Sequence, residues 1–150
     1  MGYSDGSALL LARIHELSSF NEFNAAEEDW GILNSGAAEV YAILRPGEHT
    51  TEPVSIGQRT VHTTWNCIVE LWTLYDAVAT PAALLKEAID DIIVKIAQYP
   101  HLGDSSQVLY ATTYTGGEMQ ERWTSEGGPK WAVWEVIVAW LQERTVTPAE

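Results

Sequence analysis

Four histidines and one cysteine are the side chains best able to bind a metal ion or attack a substrate. The histidines, His15, His49, His62 and His101, lie 34, 13 and 39 residues apart and form no HxH, HExxH or CxxC pattern. Cys67 is the single cysteine, so no intramolecular disulfide is possible. It has no basic neighbour in the sequence to lower its pKa, and we interpret it as a core thiol. The sequence predicts no catalytic residue, metal site or cofactor.

Paired carboxylates and paired glycines give no stronger catalytic signal. Asp90 and Asp91 are adjacent in a predicted helix, so their side chains diverge by about 100° and suit solvent better than acid–base catalysis. Gly116-Gly117 and Gly127-Gly128 lack the lysine and helix that follow a phosphate-binding loop, and we predict a bulge and a turn. An alternative stays open, a small binding protein or enzyme whose pocket between helix and sheet uses His62 and Glu70.

The charge balance excludes several classes of partner. The chain carries 21 acidic and 8 basic side chains, a net charge of -13, and the cations are scattered from Arg13 to Arg144. Such a chain is a poor binder of DNA or anionic membranes. No window approaches the 18 apolar residues of a membrane span, and the N-terminus lacks a basic region followed by a long apolar run. We expect a soluble protein, cytoplasmic where it is made, with residues 1–150 forming a single domain.

Hydrophobic periodicity and turn residues predict the elements that hold these side chains. A first helix is predicted from Gly6 to Phe20, capped by Ser4 or Ser7, and a second begins at Thr80-Pro81 and ends at Tyr99-Pro100. Strands are predicted from Glu39 to Leu44, stopped by Arg45-Pro46-Gly47, and from Gln58 to Tyr75. For residues 21–38 we predict a loop with one helical turn around Trp30.

The strongest local signal is a long hairpin from Gln107 to Arg144. Its pivot is Glu126-Gly127-Gly128-Pro129, and Trp123 and Trp131 flank this turn so that a cross-strand aromatic contact is expected. The resulting fold class is α+β, an antiparallel sheet of about four strands, including the C-terminal β-hairpin, packed against two helices.

The last strand is apolar on both faces. Trp131, Val133, Ile137, Ala139 and Leu141 share one face, whereas Trp134, Val136, Val138 and Trp140 share the other. If one helical layer covers the first face, the Trp134/Trp140 face is exposed and marks association. Coverage of that face by the N-terminal helix is the alternative. Pairing of sheet edges between subunits is a second route to assembly.

Three segments together resemble the tail terminator, or tail completion, proteins of long-tailed bacteriophages, including the minor-tail U-like and neck-associated groups. These segments are TTWNCIVELWTLY, PAALLKEAIDDIIVKIAQYP and the strand WEVIVAWLQER, and the resemblance spans residues 5 to 145. It implies a structural virion protein rather than an enzyme, without a cofactor. The implied assembly is a homohexameric ring that caps the tail tube, ends its polymerisation and meets the connector of the head.

The resemblance also implies the partners and the location. They are other copies of the chain, the tail tube protein and the head completion or connector protein, in the virion neck and, during assembly, in the host cytoplasm. DNA passes through the lumen without specific binding, since six copies would carry a net charge of -78. A head-to-tail adaptor or another neck protein is the alternative; a tail tube subunit needs a larger sheet.

No single functional residue carries over from the family. Long polar segments on a rigid sheet are where binding residues concentrate, which directs attention to EHTTEPVSIGQR and TTYTGGEMQ. The candidate residues for contacts with subunits or partners are Trp30, His49, Glu52, Arg59, Tyr114, Glu118, Trp134 and Trp140.

Overall fold

A computed structural model describes residues 2–17, 24–34, 39–54, 59–75, 80–115 and 117–146. The fold is α+β, with two α-helices packed on one face of a six-stranded sheet. The helices are α1 (Tyr3–His15) and α2 (Pro81–Gln98), and a 3-10 helix spans Trp30–Asn34. The strands are β1 (Asn24–Glu27), β2 (Tyr41–Pro53), β3 (Thr60–Leu74), β4 (Tyr110–Thr115), β5 (Gln120–Trp123) and β6 (Lys130–Thr145).

The sheet is mixed and larger than the predicted antiparallel sheet of about four strands. Its order is β1-β2-β3-β6-β4, with β5 also paired to β6. Strand β1 runs parallel to β2, and every other pair is antiparallel. Strand β1 was not predicted, because NAAE lacks the alternation and the β-branched residues that indicate a strand.

Strand β2 passes through the proline that was expected to stop it. Pro46 pairs with Cys67, and His49 pairs with Trp65. Between these two pairs β2 advances by three residues and β3 by only two, which defines a β-bulge. Strand β1 pairs with β2 only as far as Leu44. Beyond that point the described part of β2 is an edge strand, where a missing N–H removes no ladder hydrogen bond.

Helix α2 packs an apolar stripe on the sheet. Leu85, Ile89, Ile92 and Ile96 are buried against a layer that includes Val69, Val136 and Val138. Each such side chain stabilises the fold by about 1.5–3 kcal/mol when fully buried. The face of the sheet beneath α1 and α2 is called the helix face below, and the opposite one the second face.

Helix α1 begins and ends earlier than predicted. Its cap is Gly2, whose N–H donates to Asp5 Oδ2 at 2.8 Å, so neither Ser4 nor Ser7 serves as N-cap. Ser7 is buried inside the helix and its hydroxyl donates to Glu27 Oε1 at 2.8 Å. The helix ends at His15, and the predicted end at Phe20 lies outside the described residues.

The expected exposure of Trp140 is wrong, because α1 covers it. Trp140 is 1% exposed, and the Tyr3 ring lies 5.5 Å from it. A Cβ on Gly6 would lie 2.0 Å from Trp140 Nε1, so only glycine lets the helix come this close. Of the two alternatives, coverage by the N-terminal helix is the arrangement observed for this tryptophan.

The predicted C-terminal hairpin forms, but its first strand is interrupted. Thr115 pairs with Val136 and Gln120 pairs with Val133, so an advance of five residues on this side of the hairpin corresponds to an advance of three on β6. Gly117 lies between β4 and β5 and has a φ of +74°. Gly127 takes positive φ in the predicted turn.

The expected contact between the tryptophans that flank the turn does not form. Trp123 pairs with Lys130, and Trp131 pairs with Arg122. Because neighbouring residues point to opposite faces, this register places the two tryptophans on different sides of the sheet. Trp131 instead packs edge-on against Tyr41 and Trp72, each 6.0 Å away.

Candidate interaction surface

The second face of the sheet is covered at one end by the 3-10 helix. Leu33 and Ile32 of this helix pack on a small apolar cluster formed by Tyr41, Ile43, Trp72, Trp131 and Val133. The predicted helical turn around Trp30 therefore has a structural role, since it buries the end of the face that lies nearest the β5–β6 turn.

A network of ion pairs borders this covered end. Glu70 lies at its centre with 4% of its side chain exposed. Its Oε1 accepts hydrogen bonds from Trp30 Nε1 at 3.0 Å and Trp72 Nε1 at 3.2 Å. Its Oε2 accepts from Arg45 Nε at 2.8 Å and lies 3.5 Å from Arg122 Nη1. Burial alone would raise the pKa of Glu70, but these hydrogen bonds outweigh it and hold the pKa below its ordinary value.

Glu135 is the cross-strand neighbour of Glu70 and completes the network. Its Oε1 lies 3.1 Å from Arg45 Nη2 and 3.5 Å from Arg122 Nη2. Among the described residues, the ion pairs of Glu135 use only Oε1, and 36% of its side chain is exposed. Within the described part of the chain, this carboxylate therefore has one oxygen that no ion pair uses.

Past the network the second face carries an apolar surface that the 3-10 helix does not reach. Ile68, Ile137 and Tyr114 lie side by side across β3, β6 and β4, and Leu141 and Tyr110 pair two rows further along. The row between them consists of Asn66, Ala139 and Thr112. Tyr110 and Tyr114 are 54% and 56% exposed. These five residues, Ile68, Tyr110, Tyr114, Ile137 and Leu141, are called the open face below.

The open face contains a pocket at its border with the ion network. Its volume is about 300 Å³, and it is lined by Tyr114, Thr115, Gly117, Glu135 and Ile137. The walls are mainly apolar, with the Glu135 carboxylate as the charged group. Such a site can hold one aromatic side chain and offer it a hydrogen-bond acceptor.

The two sheet edges are less suited to pairing than this face. The Ala111 N–H on β4 donates to the Pro100 carbonyl at 2.7 Å, which closes one end of that short strand. On the other edge, β2 carries Pro46, the bulge and Pro53. Prolines and bulges are the features by which natural sheets prevent edge-to-edge association.

The candidate residues from the sequence are spread over the molecule. Tyr114 lies in the open face, and Trp30, 42% exposed, holds the 3-10 helix to Glu70. His49 stacks on Trp65 at 4.8 Å, and Glu52 pairs across the strands with His62. Glu118 and Arg59 are exposed, and the Arg59 carbonyl accepts a hydrogen bond from the Val146 N–H. The structure therefore brings no more than one of these residues, Tyr114, into the open face.

The two remaining candidates, Trp134 and Trp140, lie on the helix face. Trp140 is buried, so it cannot contact a partner in the folded chain. Trp134 is half-buried in an open groove of about 310 Å³ between α2 and β4, lined also by Lys86, Ile89, Asp90, Ile93, Thr115 and Gly117. The pairing of these tryptophans as one exposed patch is therefore a wrong expectation.

Sequence reasoning missed most of the open face. It grouped Ile137 and Leu141 with Trp131 and Val133 and treated that whole face as covered. The 3-10 helix is too short to cover more than half of it. The signal that could have revealed the surface is the pair Tyr110 and Tyr114, two aromatic residues four positions apart in a strand and therefore on one face.

The groups that could perform chemistry do not converge. His62 and Glu70 lie eight residues apart on β3, about 26 Å at 3.3 Å per residue, on the face away from the α-helices. Cys67 is fully buried, and burial is the main cause that raises the pKa of its thiol to about 12. Within the described residues no three His, Cys, Asp or Glu side chains form a group that could hold a metal ion.

Comparison with protein-family models and with curated proteins gives no match. No helix in the described ranges is long and apolar enough to cross a membrane.

Proposed function

We propose that the chain is the subunit of a ring-shaped structural protein of the phage tail terminator type, which caps a tail tube and joins it to the head connector. The observation that carries the proposal is the open face. A flat apolar surface with two tyrosines more than half exposed is typical of a surface that packs against another protein.

Its composition also favours a protein partner. The open face combines the apolar side chains of Ile68, Ile137 and Leu141 with two tyrosines on β4. The row between them consists of Asn66, Ala139 and Thr112, and Arg45 lies beside Ile68 on β2. Glu135 and its arginines lie at one end, and His62 and Glu143, 2.7 Å apart, lie at the other. Aromatic and apolar side chains mixed with uncharged polar groups and bordered by charged ones are common at protein interfaces.

Its size favours repeated contacts over a simple dimer. From Ile137 to Leu141 the surface extends about 13 Å along the strands, and from β3 to β4 it extends about 10 Å across them. A stable pairwise interface buries about 800 Å² per partner, which is more than this surface offers alone. A ring gives each subunit two interfaces and so accumulates contact area without a large patch.

The net charge suits a conduit for DNA. At -13 per chain, a ring of six copies carries -78, and the eight cations are dispersed, several of them in ion pairs. Such a lumen repels the phosphate backbone instead of holding it, so DNA passes without being bound.

The test is negative-stain electron microscopy of the purified chain, across a range of protein concentrations and with a tail tube protein added. The proposal predicts closed rings with a central opening, which attach to the ends of tubes and stop their growth. Particles without a ring form under every condition, together with tubes of unchanged length, would overturn it.

A further inference from the structure

An exposed tryptophan lies at the end of the molecule opposite the open face. Trp123 is the last residue of β5, pairs with Lys130, and is 57% exposed. It is the most exposed of the large apolar side chains that the structure describes. Tryptophan is the residue most enriched among those that dominate binding energies, so this position has the character of an interface anchor.

The pocket beside Glu135 has the size and chemistry to receive an indole ring. Its volume of about 300 Å³ is at the lower limit for small-molecule sites, which suits one side chain better than a cofactor. Ile137 and Tyr114 supply apolar walls, and Glu135 supplies an oxygen that the two arginines do not use. An indole N–H needs such an acceptor when the ring is buried.

The same chain already shows this recognition one strand away. Trp30 lies on the second face and donates its Nε1 to Glu70, and Glu70 is the direct cross-strand partner of Glu135. The two carboxylates share the same pair of arginines. An indole at the Glu135 pocket would therefore repeat, on β6, the contact that Trp30 makes on β3.

Trp123 cannot reach the pocket of its own copy. Its partner Lys130 is five residues from Glu135 along β6, about 17 Å, and Trp123 points to the opposite side of the sheet from Glu135. A contact between the two must therefore join separate copies. Because Trp123 and the pocket face opposite sides of the sheet, one pair of copies does not make both contacts at once. The contact is therefore head-to-tail, which produces a ring if the rotation closes and a filament if it does not.

We propose that Trp123 of one copy inserts into the pocket lined by Tyr114, Glu135 and Ile137 of a second copy, donating its indole N–H to the Glu135 carboxylate. This inference rests on the proposed ring and identifies the contact between its subunits. Each subunit then contributes one tryptophan and one pocket.

Complementation between two variants tests the contact. Trp123→Ala removes the anchor and leaves the pocket, whereas Ile137→Lys blocks the pocket and leaves the anchor. Each variant alone is expected to bind itself at least about 30-fold more weakly than the wild-type chain binds itself, the loss typical of a tryptophan that dominates an interface. Mixed one to one, they retain one intact contact and should form a heterodimer of twice 16.6 kDa that grows no further.

The measurement is multi-angle light scattering of wild type, each variant and the mixture at about 0.1 mM, a concentration that detects even weak association. Val94→Ala, which truncates an exposed side chain on α2, is the matched control and should assemble like wild type. Circular dichroism confirms that each variant is folded. Tyr114→Ala, which removes a pocket wall at a residue that is 56% exposed, replaces Ile137→Lys if the lysine prevents folding.

The outcomes separate the inference from the proposed function. Wild-type assembly with monomeric variants and a heterodimeric mixture supports both. Assembly of Trp123→Ala equal to that of wild type overturns the inference and leaves the ring standing. Monomeric variants whose mixture stays monomeric exclude a head-to-tail contact between these two surfaces. A wild-type chain that is monomeric throughout overturns the inference, whereas the ring is decided by the microscopy with tail tube protein added.

Discussion

Replacing Gly6 by alanine sets helix propensity against packing. In an exposed helix interior, alanine is favoured over glycine by about 1 kcal/mol, so propensity alone predicts a more stable protein. Here the added Cβ would lie 2.0, 2.2 and 2.7 Å from three ring atoms of Trp140, a side chain that is 1% exposed. Either α1 or the indole must move, and overpacking of this kind costs about 1–3 kcal/mol.

The contacts are short and the ring is confined by Tyr3, which puts the packing cost near the upper end of that range. After the gain in propensity is subtracted, we expect Gly6→Ala to lower the free energy of unfolding by about 2 kcal/mol. For a chain of this length that corresponds to a fall in Tm of about 2–4 °C per kcal/mol. Urea denaturation monitored by tryptophan fluorescence measures it. Ala8→Gly, at an exposed position of the same helix, is the matched control and should cost about 1 kcal/mol by propensity alone.

A stabilised Gly6→Ala protein would refute the reasoning. It would mean that α1 does not lie on Trp140 and that this tryptophan is available to a partner, as one interpretation of the sequence had it.

Two further perturbations test the ion network and the core. Glu70→Gln should lower stability at pH 7 by about 2 kcal/mol, less than for a fully buried pair because Arg45 is one-third exposed. Since the pKa of Glu70 is depressed, its contribution is present above the unfolded-state value of about 4.3 and is lost as the pH falls through the folded-state pKa. The difference in urea midpoint between wild type and variant should therefore shrink at pH 3, and a constant difference would contradict the network. Cys67 is buried, and the pKa of its thiol is raised to about 12. It should therefore react with a disulfide reagent at pH 8 only as fast as the chain unfolds. Immediate stoichiometric labelling of the native protein would contradict the burial of this thiol.

The sequence was most informative where local pattern and tertiary environment agree. Strand β3 alternates apolar and polar residues, and α2 has an uninterrupted stripe after Thr80-Pro81, so both were predicted within about two residues. Each element faces a single environment along most of its length, which is the condition under which periodicity is reliable.

Prediction failed where pairing across the sheet overrides local rules. Pro46 is tolerated in β2 because the ladder with β1 has already ended there, and no local feature reveals where that ladder ends. Likewise β1 forms because it pairs with the edge of β2, since the segment NAAE has little strand propensity of its own.

The candidate surface was only partly accessible to sequence reasoning. The two apolar faces of β6 were recognised, but which parts are covered depends on the 3-10 helix and on how closely Gly6 lets α1 approach. Both are tertiary facts. Tyr114 was identified for its place in a polar segment, and its exposure beside Ile137 arises from the register of β4 with β6.

The central claim is that the open face mediates assembly, and the most direct measurement is the native mass of a chain in which that face alone is altered. Tyr110→Ala/Tyr114→Ala removes two rings that are more than half exposed, so the fold should persist. Light scattering should find a wild-type mass near six times 16.6 kDa and a mass near 16.6 kDa for the double variant. If the double variant retains the wild-type mass, the open face is not the surface on which the protein assembles.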